Sequence, residues 1–284
     1  MKDLIRRSRY GGPALLAFLL LLPAEVGAVA ILFSAGGDNT PASIQATVDA
    51  FRVALGDPNN ANNPGPLNSG RREINWDGGG LATTPSATPF TGFQNNRGAL
   101  FTTPGTGFVQ APLDGLAITF GNPTYSTIFS TFSPFRLFTP VGSNITDATF
   151  FIPGTNGAVP ATVSGFGAVF TDVDLLGSSH LDFFDVQGNS LGSFDVPPGV
   201  VPNASLSFLG VNFTSERISR VRITSGNVAL GPNDNPPGVD VVAIDDLLYG
   251  EPRAIPEPST LVLLGFGMIV LAALAKKTLF RKKM

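Results

Sequence analysis

The sequence predicts an all-β protein, an antiparallel β-sandwich of jelly-roll type, with one short N-terminal helix and a C-terminal transmembrane helix. Three observations predict it. Between residues 90 and 252, Gly and Pro recur every few residues, and the segments between them favour Phe, Val, Ile and Thr. Several segments alternate with the period of a half-buried strand. Phe166, Ala168 and Phe170 share one face, as do Leu209, Val211 and Phe213, while Val221 and Ile223 oppose Arg220 and Arg222. No helical pattern interrupts this region and no fixed-period repeat is visible, so two packed sheets are expected rather than a solenoid or propeller.

In chain order, residues 1–30 have the pattern of a secretory signal peptide. Lys2, Arg6, Arg7 and Arg9 precede an apolar stretch at 14–22, and a small-residue cleavage site follows at Ala28-Val29-Ala30. Ile31-Leu32-Phe33 extend the apolar character past it, and an uncleaved anchor is the alternative. Residues 31–89 are expected to hold one helix and an Asn/Pro/Gly-rich loop region. The helix, at 41–55, places Ile44, Val48, Phe51 and Leu55 along one face and Asp49 and Arg52 off it. Asn39 or Thr40 is placed to cap it, with Pro41 at its first position and Gly56-Asp57-Pro58 as its stop. The stretch 59–69 reads as a loop too polar to bury. The sandwich domain is expected over 90–252, with strands at 99–103, 116–120, 146–152, 162–173 and 181–186, then at 190–196, 206–213, 217–224 and 239–248. Gln187-Gly188-Asn189 reads as a tight hairpin between two of them.

Charge and composition exclude some functions. The whole chain of 284 residues carries a net −3, but residues 31–255 hold nine arginines, no lysine and 18 acidic residues, a net −9. Such a body lacks the basic footprint that neutralises nucleic-acid phosphates, and it suits a cation or a neutral polymer better. Cysteine is absent, so neither disulfides nor a thiol nucleophile contributes, and the 23 phenylalanines must supply much of the buried apolar area.

No catalytic set emerges, and the protein is not expected to be an enzyme. The only histidine, His180, sits beside a turn without a nucleophile elbow, and zinc lacks nitrogen and sulfur ligands. Carboxylates remain. Asp172 and Asp174 share a face at a strand end, Asp182 and Asp185 flank Phe183-Phe184, and Asp195 precedes Pro197-Pro198. Asp245-Asp246 lies inside the last apolar strand, where alternation sends one acid inward. An inward carboxylate needs a cation, an arginine or several N–H donors to offset its desolvation. Structural calcium held by Asp172, Asp174, Asp245 and Asp246 is one solution. Pairing with Arg217, Arg220 or Arg222, or with turn N–H groups, is the other. Paired acids among Asp172, Asp174, Asp182 and Asp185 also define an alternative function, a carbohydrate-active hydrolase. Trp76 is either a single exposed sugar platform for such a site or a residue packed under its loop.

The C-terminal region, 253–284, addresses the chain to a surface. Pro256-Glu257-Pro258-Ser259-Thr260 leads into an unbroken apolar run at 261–275, followed by Lys276, Lys277, Arg281, Lys282 and Lys283. Fifteen residues at 1.5 Å span about 22 Å, short of a ~30 Å hydrocarbon layer. Snorkelling of Lys276 and Lys277 extends the expected transmembrane helix to 259–280, with the basic end cytoplasmic.

This tail resembles the PEP-CTERM sorting signal of Gram-negative bacteria. The resemblance implies recognition and cleavage at Pro256, Glu257 and Pro258 by an exosortase, a membrane-embedded cysteine transpeptidase-like enzyme, in a host that makes exopolysaccharide. Separately, Val242-Ala243-Ile244-Asp245-Asp246-Leu247 resembles the closing strand of MAM-type and related jelly-roll adhesion modules. That implies a sandwich with a binding or adhesive role and Asp245 or Asp246 as a ligand residue. The expected protein is therefore exported across the inner membrane by the secretion machinery and anchored transiently through its C-terminal helix. It is then sorted to the cell surface or extracellular matrix as a non-catalytic binding or structural module of exopolysaccharide or biofilm. The expected partners are the exosortase and extracellular polysaccharide, with no nucleic acid.

Overall fold

The computed structural model describes residues 29–215, 217–234, 237–255 and 263–271. The chain opens with strand β1 (Ala30–Gly36), helix α1 (Ala42–Leu55), β2 (Arg71–Ile74) and β3 (Thr84–Ala87). Next come the short α2 (Gln94–Arg97), β4 (Ala99–Thr102), β5 (Gly107–Ala111), α3 (Leu113–Phe120) and α4 (Tyr125–Ile128). Strands β6 (Leu137–Val141), β7 (Ile145–Phe150), β8 (Ala161–Thr162), β9 (Gly165–Thr171) and β10 (His180–Phe184) follow. The body ends with β11 (Ser190–Asp195), β12 (Leu206–Phe213), β13 (Arg220–Thr224), β14 (Ala243–Gly250) and β15 (Arg253–Ala254).

Two antiparallel sheets face each other. The larger runs β1-β12-β9-β14-β6-β5-β3, with β2 also paired to β14, and the smaller runs β11-β10-β13-β7-β4. From β6 to β14 the chain behaves as one long hairpin rolled up on itself. Its paired arms are β6 with β14, β7 with β13, β9 with β12, and β10 with β11. The tip is the turn at 185–189, where Asp185 accepts the N–H groups of Gln187 and Asn189 and Gly188 supplies a φ of 83°.

The pleat sorts side chains as the alternation predicts. Phe166, Ala168 and Phe170 of β9 and Leu209, Val211 and Phe213 of β12 face inward, against Leu181, Phe183, Val221 and Ile223 of the smaller sheet. Ring contacts cross the interface, as between Phe183 and Phe213 at 5.8 Å and between Phe150 and Tyr249 at 5.3 Å. Trp76 lies inside this core, stacked on Phe138 at 3.9 Å, and its Nε1 donates to the Asp245 carbonyl at 2.8 Å. It is a packed tryptophan and offers no sugar platform.

The outer face of the larger sheet is covered as well. Ile44, Val48, Phe51 and Leu55 of α1 are buried as their spacing predicts. Phe51 enters a notch made by Gly167 and Gly210, which lie directly opposite each other on β9 and β12. A Cβ on either glycine would sit 2.8 Å from the Phe51 ring. Burying that ring contributes about 2–3 kcal/mol. Next to it, Leu116, Tyr125 and Phe129 pack on Val109, Ala111, Leu137 and Ala243.

Several expectations need correction. Residues 116–120 form the second half of helix α3 rather than a strand. Leu113, Leu116, Ala117 and Phe120 fall at helical spacing on the face that meets the outer cluster, and Gly121 closes the helix at φ 65°. Residues 31–89 hold more than a helix and loop, since β1, β2 and β3 all join the larger sheet. Ala30, placed at the end of the leader, already pairs with Phe213. Neither Asn39 nor Thr40 caps α1 through its side chain, because Pro41 occupies the cap position and Asp38 instead accepts the Thr40 N–H and hydroxyl. In the polar loop, Asn60 is buried after all, donating to the Ser69 carbonyl and the Glu251 carboxylate.

Residues 263–271 are helical and exposed, so this part of the apolar run packs against no core. Among the described residues no helix is long and apolar enough to cross a membrane. The rest of the expected span at 259–280, the tripeptide Pro256-Glu257-Pro258 and the expected leader up to residue 28 lie outside the described residues.

The register also gives the body a direction. Reading across the larger sheet, Ile31 lies opposite Asn212, Asn212 opposite Gly165, the neighbouring Phe166 opposite Tyr249, and Tyr249 opposite Arg72. The start of β1 and the end of β14 are therefore at the same end, called proximal below. The other end, where Thr171 lies opposite Leu206 and Ala243, is distal.

Replacing Gly210 by Ala tests the notch. Restricting the unfolded chain would stabilise by about 0.4–1 kcal/mol, but driving a methyl group into the Phe51 ring costs about 1–3 kcal/mol, so net destabilisation is expected. Urea denaturation followed by the fluorescence of the single tryptophan reads it, and shrinking the ring with Phe51→Leu in the Gly210→Ala background should recover part of the loss. An unchanged midpoint in the single variant would remove the notch from the account.

Candidate functional site

Asp172 and Asp174 do come together, in the distal turn after β9. Two acids not singled out from the sequence, Asp234 and Asp240, join them. With Asn203, Ile128, Val239 and Val241 they line a polar pocket of about 110 Å³. Asp240 is buried and accepts N–H bonds from Asp174 at 3.3 Å and Leu175 at 3.1 Å, plus the Ser178 hydroxyl. Asp234 accepts the Thr124 hydroxyl. Asp172, buried and held at φ 68°, receives one bond, from the Ala204 N–H at 3.0 Å. Burial first, then the charges of Asp174 and Asp240, push its carboxyl up to about 8. Asp174 is raised for the same reasons, burial ahead of Asp240. The four carboxylates of this lining have the chemistry of a hard-cation site. Among the described residues, however, no group of three His, Cys, Asp or Glu is arranged to hold a metal ion.

Asp245 and Asp246 form a separate cluster, on β14, and so do not share a site with Asp172 and Asp174. Both are buried. Asp245 accepts the N–H groups of Phe132 at 2.6 Å and Ser133 at 3.3 Å, while the Ser133 hydroxyl donates to Asp246 at 2.6 Å and lies 3.0 Å from Asp77. Turn donors therefore answer the desolvation of Asp245. The arginines considered as partners are engaged elsewhere, Arg220 and Arg222 with Asp147 at 2.9 Å each and Arg217 with Ser215. Burial raises both carboxyls, and for Asp245 the adjacent Asp246 charge adds to it. The remaining acids are dispersed. Asp182 lies beside His180 at 3.6 Å, Asp185 closes the hairpin tip, and Asp195 sits opposite His180 in the sheet. The four acids named for a hydrolase thus divide between the distal pocket, the face of β10 and a turn.

The second feature is the chain's exit toward its tail. Strand β14 ends at Gly250, and the next residue, Glu251, forms a buried ion pair with Arg72, both bonds at 2.8 Å. The remaining Arg72 donors reach the carbonyls of Ala61 and Asn96. Two residues later, Arg253 and Ala254 pair with Thr162 and Ala161, and Arg253 also donates to the Asn68 carbonyl. The fold therefore holds the chain to within two residues of Pro256. This lock gave no sequence signal beyond an acid following a strand, since Arg72 and Glu251 are 179 positions apart.

Residues 254–277 match the family model of the PEP-CTERM protein-sorting motif. The tail is thus a sorting motif, beginning in the last strand of the body, and it marks an exported protein processed by an exosortase. No curated protein and no solved structure matches the chain.

Two outcomes test these sites. The Asp172 carboxyl is raised above its unfolded value near 4, so the folded state keeps a proton that the unfolded state has lost. Its contribution to stability is full below about pH 4 and is lost progressively as pH rises toward 8. Asp172→Asn keeps the acceptor for Ala204, so it should be more stable than the parent at pH 8 and show a flatter pH dependence of the denaturation midpoint. For the exit, Glu251→Gln strands a buried guanidinium and should cost about 3–5 kcal/mol, whereas Arg72→Met with Glu251→Leu should recover most of it. Equal loss in the single and double variants would deny the pair its locking role.

Proposed function

We propose that this chain is an exosortase substrate whose exported body is a non-catalytic jelly-roll module, delivered to the cell surface or extracellular matrix to bind or bridge exopolysaccharide. The sorting motif that begins in the last strand carries this reading. The eight-strand order β12-β9-β14-β6 over β11-β10-β13-β7, with consecutive strands alternating between sheets except at the β10–β11 hairpin, supports the jelly-roll description. The charged leader and apolar stretch of residues 1–30 support export, and the 261–275 run with its basic end supports membrane anchoring before processing.

A binding role fits the rest better than hydrolysis. The acids nominated for glycoside cleavage do not converge on one cleft, and the lone tryptophan is buried in the core. Neutral glycans suit a body with no lysine and a net −9, which would repel an anionic polymer.

Intact mass of the protein recovered from its native host tests the sorting step. Expected is a species ending at or near Pro256–Pro258 in the parent strain, and the full tail in a strain lacking exosortase activity. Identical masses in the two strains would overturn it. Pull-down of host exopolysaccharide by residues 31–255 tests the binding role, which turnover of a glycan without retention would overturn.

A further inference from the structure

Both ends of the body leave from one end of the sandwich. Ala30 opens β1 and Gly250 closes β14 in nearly the same row of the larger sheet. Strands β12 and β9 lie between them, so the two exits are three strand spacings apart, about 14 Å. Each exit leads within a few residues to an apolar run. Leu261 is seven positions beyond Ala254, a reach of at most about 25 Å, and Leu22 is eight positions before Ala30, at most about 29 Å. Each run carries its arginines and lysines on the side away from the body, so both are oriented with the body on the same, outer side of the membrane.

The two ends of the body also differ in charge. At the distal end Asp38, Asp172, Asp174, Asp195, Asp234 and Asp240 gather with no arginine among the described residues there. The proximal end holds Arg71, Arg97, Arg217, Arg220 and Arg253 around loops 59–69 and 151–160. Those two loops contain no charged residue, and they meet where the Gly65 N–H donates to the Pro153 carbonyl. Among the described residues, the exposed acids near this end are Asp57, paired with Arg71, and Asp185, whose oxygens are taken by Gln187 and Asn189, while the part-buried Glu73 and Asp147 pair with Arg71 and Arg220.

We propose that the proximal end, built from loops 59–69 and 151–160 with Arg97 and Arg253, is the face that lies against anionic lipid headgroups before processing. This rests on the reading of the two terminal runs as membrane-inserting segments. While the leader is attached, two short tethers at one end hold that end near the bilayer, and the C-terminal one holds it there after cleavage at 28–30. A body about 25 Å tall then points its acidic end outward. Anionic headgroups in the leaflet facing the body attract the arginine-bearing end and repel the aspartate-bearing one, so tether and field select the same orientation.

The absence of cysteine makes a clean test possible. Val159 at the proximal end and Val200 at the distal end are both exposed, at 38% and 71%. Full-length Val159→Cys and Val200→Cys proteins, each with one fluorophore, are reconstituted in phosphatidylethanolamine/phosphatidylglycerol vesicles containing headgroup-spin-labelled lipid. Several-fold stronger quenching at position 159 is expected. The contrast should shrink at about 1 M salt, where the Debye length is ~3 Å, and in purely zwitterionic vesicles. Equal quenching at the two positions in protein that floats with the vesicles overturns the orientation alone. Protein that fails to float overturns the membrane-inserting reading and the orientation with it.

Discussion

The fold depends on the last long strand being the central one. Every residue of β14 is buried, and the strand pairs with β9 on one side and with β6 and β2 on the other. Neither half of the larger sheet is complete without it, so the core cannot close until residue 250 is in place. Such a long-range pairing orders much of the chain before it is rewarded, which makes closure the costly step of folding. Glu251 then seals the strand with a buried ion pair to Arg72, and the sorting motif starts three residues beyond. Completion of the body and the start of its address label are thus adjacent in the chain as well as in space.

With no disulfide to restrict the unfolded chain, packing has to supply stability, and the composition reflects how. Rings fill both sides of the larger sheet. Phe138 stacks between Trp76 and Phe108 inside, while Phe33, Phe51 and Phe208 cluster outside. Rings of that size reach a pleated surface only where the surface recedes. The paired Gly167 and Gly210 give α1 that recess, so two residues that weaken strands in isolation become the seat of the helix. On this face phenylalanine and glycine serve one purpose, the close approach of a ring to the backbone.

Elements were legible where local pattern and tertiary role agreed. Strand β12 and the buried face of α1 follow directly from periods of two and of three to four residues. Strand β1 was hidden because its residues Ile31–Phe33 continue the apolar character of the leader, and a sequence window cannot distinguish an edge strand from the end of a signal peptide. Strands β2, β3, β5 and β6 are four or five residues each, too short for an alternation to declare itself. Helix α3 was misread because Leu116–Phe120 is apolar throughout. Its i, i+3, i+4, i+7 face appears only when Leu113 is included. At the distal pocket, Asp172 and Asp174 were visible as a pair, whereas Asp234 and Asp240 arrive from some sixty residues away and leave no local trace. The exit lock is the extreme case, two charges that look like ordinary surface residues until the sheet buries them together.

The net −3 of the whole chain conceals an ordered arrangement of charge. Basic residues flank the terminal apolar runs, arginines gather at the end of the body from which those runs depart, and acids gather at the opposite end. Crowding Asp172, Asp174, Asp234 and Asp240 into one partly desolvated pocket is unfavourable, as the carboxyls of Asp172 and Asp174, raised by burial first and by neighbouring charge second, record. In the proposed orientation, the same four side chains at the proximal end would add repulsion from anionic headgroups to their mutual repulsion. Placing them about 25 Å farther out, more than two Debye lengths at physiological salt, leaves only the internal cost. The sheet register sets that distance, because it puts the close of β14 and the turn after β9 at opposite ends of adjacent strands.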